Sequence, residues 1–207
     1  MEWLEYKYDC NFIMAIDRSD FIDEIKGAHS YRLTAQKEIF PILDRCHCIP
    51  GEHDAIFDFG CGKGGAMISF LDYGFRNVGG VEYETKIYKE LISNFQKLGI
   101  NLEDNKNISC IHGDAAEVKT ELDAYNWFYY FDPFEKDIFR KTIENICDSL
   151  KRKPRRAYII NINPQYHDIV LDSGYFELTN QFCIAMRQRV VDVFITKREC
   201  EECKGAI

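Results

Sequence analysis

The sequence predicts an α/β fold built on a doubly wound, mostly parallel sheet of seven strands, with helices on both faces and an antiparallel hairpin at its end. Two observations predict this fold. Apolar runs typical of buried strands alternate five times with segments of helical periodicity, which favours a parallel sheet. The last two strands, GYFELTNQFCIAM and RQRVVDVFITK, have no helical pattern between them, so we expect them to pair antiparallel.

The individual elements follow one another in a regular order. A first helix is expected from about 30 to 46, capped by Ser30 or Thr34, and Pro41 either bends it or divides it into two. The strands are expected at 53–59, 77–83, 107–114, 125–134, 155–163, 174–186 and 187–197, and the helices between them at 64–72, 84–98, 115–121, 135–150 and 165–172.

Length and composition indicate one domain. The chain has 207 residues, of which 46% are hydrophobic, and this is enough for one sizeable core. We expect an N-terminal extension at 1–29, the α/β domain at 30–197 and a flexible tail at 198–207.

The charge, the hydropathy and the cysteines indicate which partners and which compartment to expect. The formal net charge of −8 disfavours binding to bulk nucleic acid. No apolar run approaches the ~20 residues of a membrane span, and the N-terminal sequence MEWLEYKYDC is unlike a signal peptide. The nine cysteines form no paired framework and are expected to be reduced. These features predict a cytoplasmic protein without membrane contact, and they leave the oligomeric state open.

The stretch AIFDFGCGKGGAM, residues 55–67, predicts a ligand-binding loop after the first strand. Glycines this dense let the backbone approach a ligand closely. A nucleoside triphosphate loop needs Ser or Thr after the lysine, but Lys63 is followed by Gly64. Gly60, Gly62 and Gly65 instead match Gly-x-Gly-x-x-Gly. A glycine-rich turn without a ligand is the structural alternative.

Three carboxylates describe the ligand further. Glu82 follows about twenty residues after the glycines, at the end of the second strand, and suits a ribose diol. Asp58 would repel a pyrophosphate but suits a cationic group. Asp114 ends the third strand, where it can accept from an exocyclic amine such as that of adenine. These positions favour a nucleoside with a cationic group over a dinucleotide.

Four motifs in order resemble those of the class I S-adenosylmethionine-dependent methyltransferases, over roughly residues 30–197. FDFGCGKGG resembles the first motif, GGVEYE the second, CIHGDAAE the third, and YFDPF falls at the fourth. The resemblance implies a Rossmann-like seven-stranded sheet ending in an antiparallel hairpin, and S-adenosylmethionine as cofactor. The cofactor-binding residues that it implies are Asp58, Gly60, Cys61, Gly62, Gly64, Glu82, Tyr83, Asp114 and Ala115.

The fourth motif carries the candidate catalytic residues Asp132, Pro133 and Phe134. Methylases of conjugated amines have Asn/Asp-Pro-Pro followed by an aromatic residue, and this sequence has a single proline. Asp132 is the candidate for orienting or deprotonating an acceptor, because burial among aromatic rings raises a carboxyl pKa toward useful base strength. The alternative is that Asp-Pro only ends the strand and begins the following helix.

Other polar positions have both a functional and a structural interpretation. Tyr31, with His29 before it, either closes over the cofactor or only enters the first helix. Asn163 either faces the acceptor or forms a turn. The basic cluster KRKPRR at 151–156 either binds nucleic acid or forms a solvated turn at the edge of the sheet opposite the site. That topology favours the turn, and Lys and Arg there also complement the end of a helix.

The cysteine pairs raise the question of a metal. CHC at 46–48 and CEEC at 200–203 contain zinc-ligand residue types, but Cys-His-Cys is too tight for a usual zinc knuckle. Cys61 is expected to fill space in the glycine loop rather than to act as a nucleophile. We therefore predict no metal in the active site.

The residues together predict an S-adenosylmethionine-dependent methyltransferase. Its acceptor is undetermined, with a small molecule or a protein side chain favoured over bulk nucleic acid. An NAD-dependent oxidoreductase is the enzymatic alternative, but Tyr83 and Lys86 lack the Tyr-x-x-x-Lys spacing. A cofactor-binding module without catalysis is the other alternative.

Overall fold

A computed structural model describes residues 2–23, 31, 36–132, 134–184 and 188–197. Within them, strands β1 to β7 are Ala55–Phe59, Asn77–Glu82, Ile108–His112, Trp127–Phe131, Tyr158–Ile162, Phe176–Ile184 and Arg189–Thr196. They form one sheet in the order β3-β2-β1-β4-β5-β7-β6. Strands β1 to β5 pair in parallel, and β7 pairs antiparallel with both β5 and β6. The predicted sheet and its final hairpin are confirmed.

Helices cover both faces of the sheet, as predicted. Helices α1 to α6 are Glu2–Tyr8, Gln36–Arg45, Gly65–Tyr73, Thr85–Lys97, Lys136–Arg152 and His167–Asp172. Buried side chains of α2, α3 and α4, such as Leu43, Phe70 and Phe95, pack on one face. Ile143 of α5 and Val170 of α6 pack on the other. Across the described ranges, no helix is both long and apolar enough to cross a membrane.

Helix α2 continues through Pro41 as one element, so the proline does not divide it. A proline inside a helix removes one backbone donor. Here Ile39 and Ile42, on either side of it, are buried at 0% and 1% exposure and hold the helix against the core. Ser30 and Thr34, the expected caps, lie outside the described residues.

Two arginines of the basic cluster form structural contacts where α5 leads into β5. Arg152 pairs with Asp123 at 2.8 Å. Arg155 donates hydrogen bonds to the carbonyl oxygens of Leu122 and Tyr125, at 2.8 and 2.6 Å. Both arginines hold this connection at the amino-terminal edge of β5, in agreement with the turn interpretation.

The parallel strands bring their carboxyl ends to one edge of the sheet. Asp58 is the penultimate residue of β1 and Glu82 the last residue of β2. Asp132 directly follows β4, and Asn163 directly follows β5. Ligands of open α/β sheets bind at this edge, so the fold gathers the predicted ligand residues on the expected side.

Candidate active site

The glycine loop after β1 has a backbone that favours glycine. Gly60, Gly62 and Gly64 have positive φ angles of 79°, 56° and 85°. The N–H groups of Gly60 and Cys61 donate to the carbonyl oxygen of Val81 at 3.0 and 2.9 Å, which turns the loop toward β2. A Cβ atom at Gly62 would collide with the ring of Tyr31. The loop is therefore closely packed on one side by an aromatic ring.

Two carboxyl groups, of buried Asp58 and half-buried Glu82, lie next to this loop. Asp58 is 3% exposed, and burial together with the negative charge of Glu82 raises the pKa of Asp58 to about 8. Glu82 accepts hydrogen bonds from the N–H of Gly62 at 3.0 Å and of Glu84 at 2.9 Å. Burial raises the pKa of Glu82 to about 7, although these backbone donors oppose the shift. Such a pair is able to attract a positive charge and to accept hydrogen bonds from hydroxyl groups.

The residues after β2 and β3 lie at the same carboxyl edge of the sheet. The N–H of Gly113 donates to the carbonyl oxygen of Glu82 at 3.0 Å and joins the two strand ends. Asp114 then accepts from the N–H of Ala116 at 2.8 Å and begins a 3-10 turn at Ala115–Glu117. This 3-10 structure replaces the short α-helix that was expected at 115–121. Ala115 is buried, whereas Asp114 and Tyr83 are exposed.

The ring of Tyr31 lies against the glycine loop. Its hydroxyl donates to the carbonyl oxygen of Phe12 at 2.6 Å, and its backbone N–H donates to the carbonyl oxygen of Ile16 at 2.9 Å. The side chain is buried, and burial raises its pKa further above the usual tyrosine value. Tyr31 thus connects the N-terminal segment to the loop. His29 lies outside the described residues.

Lys63 has a structural role that the sequence did not indicate. This lysine of the glycine loop is fully buried and pairs with Glu90 of α4 at 2.8 Å. Its Nζ atom also donates to Oδ1 of Asn11 at 3.1 Å and to the carbonyl oxygen of Met14 at 2.9 Å. Lys63 therefore binds the N-terminal segment and α4 rather than a phosphate.

The ends of β4 and β5 are strained and polar. Asp132 and Asn163 have positive φ angles of 43° and 55°, which non-glycine residues rarely adopt and which occur preferentially at functional sites. Oδ1 of Asp132 accepts a hydrogen bond from Nε2 of Gln165 at 2.8 Å. Phe134 is half-buried against the core on the α5 side. Pro133, the third predicted residue here, lies outside the described residues.

A cavity of about 490 Å³ lies beside the end of β5 and was not predicted. Asn163 and Gln165 line it, together with His167 of α6 and Asp192 of β7. His167 and Asp192 are 25 residues apart in the sequence, and only the antiparallel pairing of β7 with β5 brings them together. The sequence signal was Asp192 itself, a charged residue inside the apolar run VVDVFI.

The described cysteines are free thiols. Cys61 is buried against Gly80 of β2, and burial raises its pKa well above the usual thiol value, as suits a residue that fills space. Burial also raises the pKa of Cys46 and of Cys48 to about 12. No cluster of three potential metal ligands occurs within the described ranges, which exclude Cys200 and Cys203.

Solved methyltransferases have a similar fold. The ribosomal protein L11 methylase of Lactobacillus delbrueckii subsp. bulgaricus is 14% identical with a TM-score of 0.56, over 79% of this chain and 78% of its own. Fibrillarin of Aeropyrum pernix, with natively bound S-adenosyl-L-methionine, is 17% identical with a TM-score of 0.52, over 70% and 68%. An RNA methyltransferase of Salinibacter ruber, in complex with S-adenosyl-L-homocysteine, is 12% identical with a TM-score of 0.55, over 80% and 94%.

These similarities define the fold as that of the class I methyltransferases, and the resemblance of the sequence to that fold is confirmed. Identities this low show a common fold and nothing finer. No protein-family model matches the sequence, and no curated protein matches it significantly.

Proposed function

We propose that the protein is an S-adenosylmethionine-dependent methyltransferase with its cofactor at the carboxyl edge of β1 and β2. The observation that carries the proposal is the carboxyl pair of buried Asp58 and half-buried Glu82 next to a glycine loop with positive φ angles. The class I methyltransferase fold supports it, because that fold places its ligands at this edge.

The chemistry of the pair fits a cationic nucleoside better than a dinucleotide. The pKa of Asp58 is already raised to about 8, so a pyrophosphate would add charge of the wrong sign, whereas a cationic group would favour the ionised carboxylate. Both oxygens of Glu82 accept backbone N–H groups, and the four lone pairs of a carboxylate leave room for a ribose hydroxyl. The residues present therefore fit S-adenosylmethionine.

Each carboxylate would hold a different part of this cofactor. Asp58 would face the methionine end, Glu82 the ribose hydroxyls and Asp114 the adenine amino group. The remaining candidate contacts come from the loop, the strand ends and the covering tyrosine, namely Gly60, Cys61, Gly62, Gly64, Tyr83, Ala115 and Tyr31.

Methyl transfer requires the protein to position the acceptor and to provide one group that accepts a proton. When bound, S-adenosylmethionine supplies a methyl group that its sulfonium already activates. The protein orients the acceptor, excludes water and takes up a proton. In this proposal Asp132, with Gln165 on one carboxylate oxygen, orients or deprotonates the acceptor at the end of β4, flanked by Phe134.

The acceptor in this proposal is a small molecule or a protein side chain. The net charge of −8 disfavours a polyanion. Arg152 and Arg155 of the basic cluster are engaged at the opposite edge of the sheet. These observations weigh against bulk nucleic acid.

Calorimetry with S-adenosylmethionine, S-adenosylhomocysteine and NADH tests the proposed cofactor. We expect the wild type to bind the first two, and Glu82→Ala to bind them at least about tenfold more weakly, since hydrogen bonds to a charged group contribute about 1.5–3 kcal/mol. Glu144→Ala, on an exposed face of α5, is the matched control and should bind like the wild type. Thermal unfolding of each variant separates lost contacts from lost folding. Binding of NADH alone would overturn the proposal.

A further inference from the structure

A histidine held by a buried carboxylate lies beside the candidate catalytic edge. Nδ1 of His167 lies 2.6 Å from Oδ2 of Asp192, and Asp192 has no exposed surface. Oδ1 of Asp192 accepts a hydrogen bond from Nε2 of Gln181 at 2.7 Å. A buried carboxylate is costly unless it is paired, so these contacts fix the imidazole in one orientation. With Nδ1 engaged, Nε2 is the ring nitrogen that can exchange a proton.

This histidine lines the cavity of about 490 Å³ described above. Gln165 connects the cavity to the predicted acceptor end, because it lines the cavity and also donates to Asp132. The cavity therefore lies one side chain away from Asp132, and His167 retains 29% of its side-chain surface exposed there. Its volume is that of a small-molecule site.

We propose that this cavity is the acceptor pocket and that His167, oriented by Asp192, removes the proton from a hydroxyl of a small polar acceptor, while Asp132 orients that acceptor. The inference rests on the proposed methyltransferase function. As the acceptor oxygen bonds to the methyl carbon, its O–H bond breaks and the proton passes to Nε2 of His167. The electron pair of the broken C–S bond stays on sulfur, which becomes a neutral thioether. Asp192 then pairs with the imidazolium.

The polar side chains that line the cavity indicate the chemical class of the acceptor. Side-chain amides of Asn163, Gln165, Gln181 and Gln188 both donate and accept hydrogen bonds, as hydroxyl groups do. Among the lining residues of the described chain, Asp192 alone is a carboxylate, and it is already bonded to His167 and Gln181. A compact, uncharged, hydroxylated molecule matches this lining better than a cation.

The first test determines which ring nitrogen of His167 carries the proton, and it requires no acceptor. In ¹⁵N NMR of the neutral imidazole, we expect His167 of the wild type to carry its proton on Nδ1, and Asp192→Asn to lose that preference. His167→Gln assigns the signal, and His53→Gln, an exposed histidine before β1, should leave it unchanged. A wild-type His167 protonated on Nε2 would overturn the inference.

The second test measures transfer of labelled methyl from S-adenosylmethionine into the small-molecule ultrafiltrate and the macromolecular fraction of a cell extract. We expect label in a hydroxylated small molecule, with kcat lowered about 10²–10⁴-fold in His167→Gln and the calorimetric affinity for S-adenosylmethionine unchanged. His53→Gln should retain the wild-type rate.

The other outcomes separate the two proposals. Label in the macromolecular fraction alone, in a small-molecule amine, or in no fraction contradicts the acceptor pocket, as does full activity of His167→Gln. A wild type that does not bind S-adenosylmethionine contradicts the methyltransferase function and removes the inference with it.

Discussion

Asp58 combines two properties that rarely occur together, an acidic side chain and almost complete burial. Its 3% exposure and the charge of Glu82 raise its pKa to about 8 from an ordinary value of 3.8. The carboxyl group therefore keeps its proton at neutral pH in the free protein. Such a group destabilises the fold when it ionises, and it has a use only if something compensates that charge.

The stability of the protein without ligand should fall as the pH rises. Between 3.8 and about 8 the folded protein binds a proton at Asp58 that the unfolded chain has lost, so the free energy of unfolding decreases with pH across this range. Urea denaturation at several pH values checks this. In Asp58→Asn, the free energy of unfolding should fall with pH by less than in the wild type, and the difference should exceed about 1 kcal/mol. A variant with the same slope as the wild type would contradict the raised pKa.

Cofactor binding should release a proton from this site. A cationic ligand favours the ionised form of Asp58, so affinity for S-adenosylmethionine should increase as the pH approaches 8, the pKa of the free carboxyl group. Calorimetry in buffers of different ionisation enthalpy measures the released proton. S-adenosylhomocysteine has no sulfonium and should release less, and Asp58→Asn should abolish the contribution. Equal release with both ligands would contradict a contact with the sulfonium.

The start of α4 shows how one helix end holds the site together. Glu84 is fully buried and accepts hydrogen bonds from the N–H groups of Ile22, Asp23 and Lys86, at 2.9, 3.0 and 3.2 Å. Asp23 in turn accepts from the N–H of Thr85 at 2.7 Å. This reciprocal arrangement satisfies helix-end donors and fastens the N-terminal segment two residues after Glu82.

Removing this cap should destabilise the protein strongly. Glu84→Ala removes the acceptor of three partly buried backbone N–H groups, and we expect a loss of about 2–4 kcal/mol in the free energy of unfolding. Glu84→Gln keeps one acceptor oxygen and should lose less. Urea denaturation measures both, with Glu52→Ala in an exposed loop as the control. A loss for Glu84→Ala no larger than that of the control would show that the cap is dispensable.

Local pattern predicted most elements of the sheet, because each buried strand and each helical stripe is encoded by residues next to one another. Of the two effects expected of Pro41, a bend or a division of the helix, the division does not occur, because α2 packs on the core despite the missing donor. Asp58, Glu82 and Asp132 could be placed at one edge of the sheet from the sequence, because they lie at the ends of parallel strands and the fold gathers such ends there. Asp192 was missed because its position depends on an antiparallel pairing, whose register the local pattern does not specify.

For the molecule as a whole, the N-terminal segment and the glycine loop are one connected structure. Phe12 is fully buried in the same core cluster as α2, α3 and α4. Tyr31 joins Phe12 to Gly62, and Lys63 joins the segment to Glu90 of α4. Little of this was visible in the sequence, since residues 1–29 lack periodicity. The contacts imply that a ligand on the loop also orders the segment.

Hydrogen exchange should detect this coupling. Binding of S-adenosylmethionine restrains the loop, so the opening of the segment packed on it becomes rarer, and amide exchange in peptides covering residues 10–16 should slow by at least about threefold. Mass spectrometry with and without the ligand measures it, and peptides covering 148–156, at the opposite edge, should not change. Lys63→Met keeps a buried, unbranched side chain without the ammonium contacts to Asn11, Met14 and Glu90, so it should reduce the protection while the protein remains folded. Equal protection in both proteins would show that the segment is ordered independently of Lys63, and protection confined to the glycine loop would show that the two do not open together.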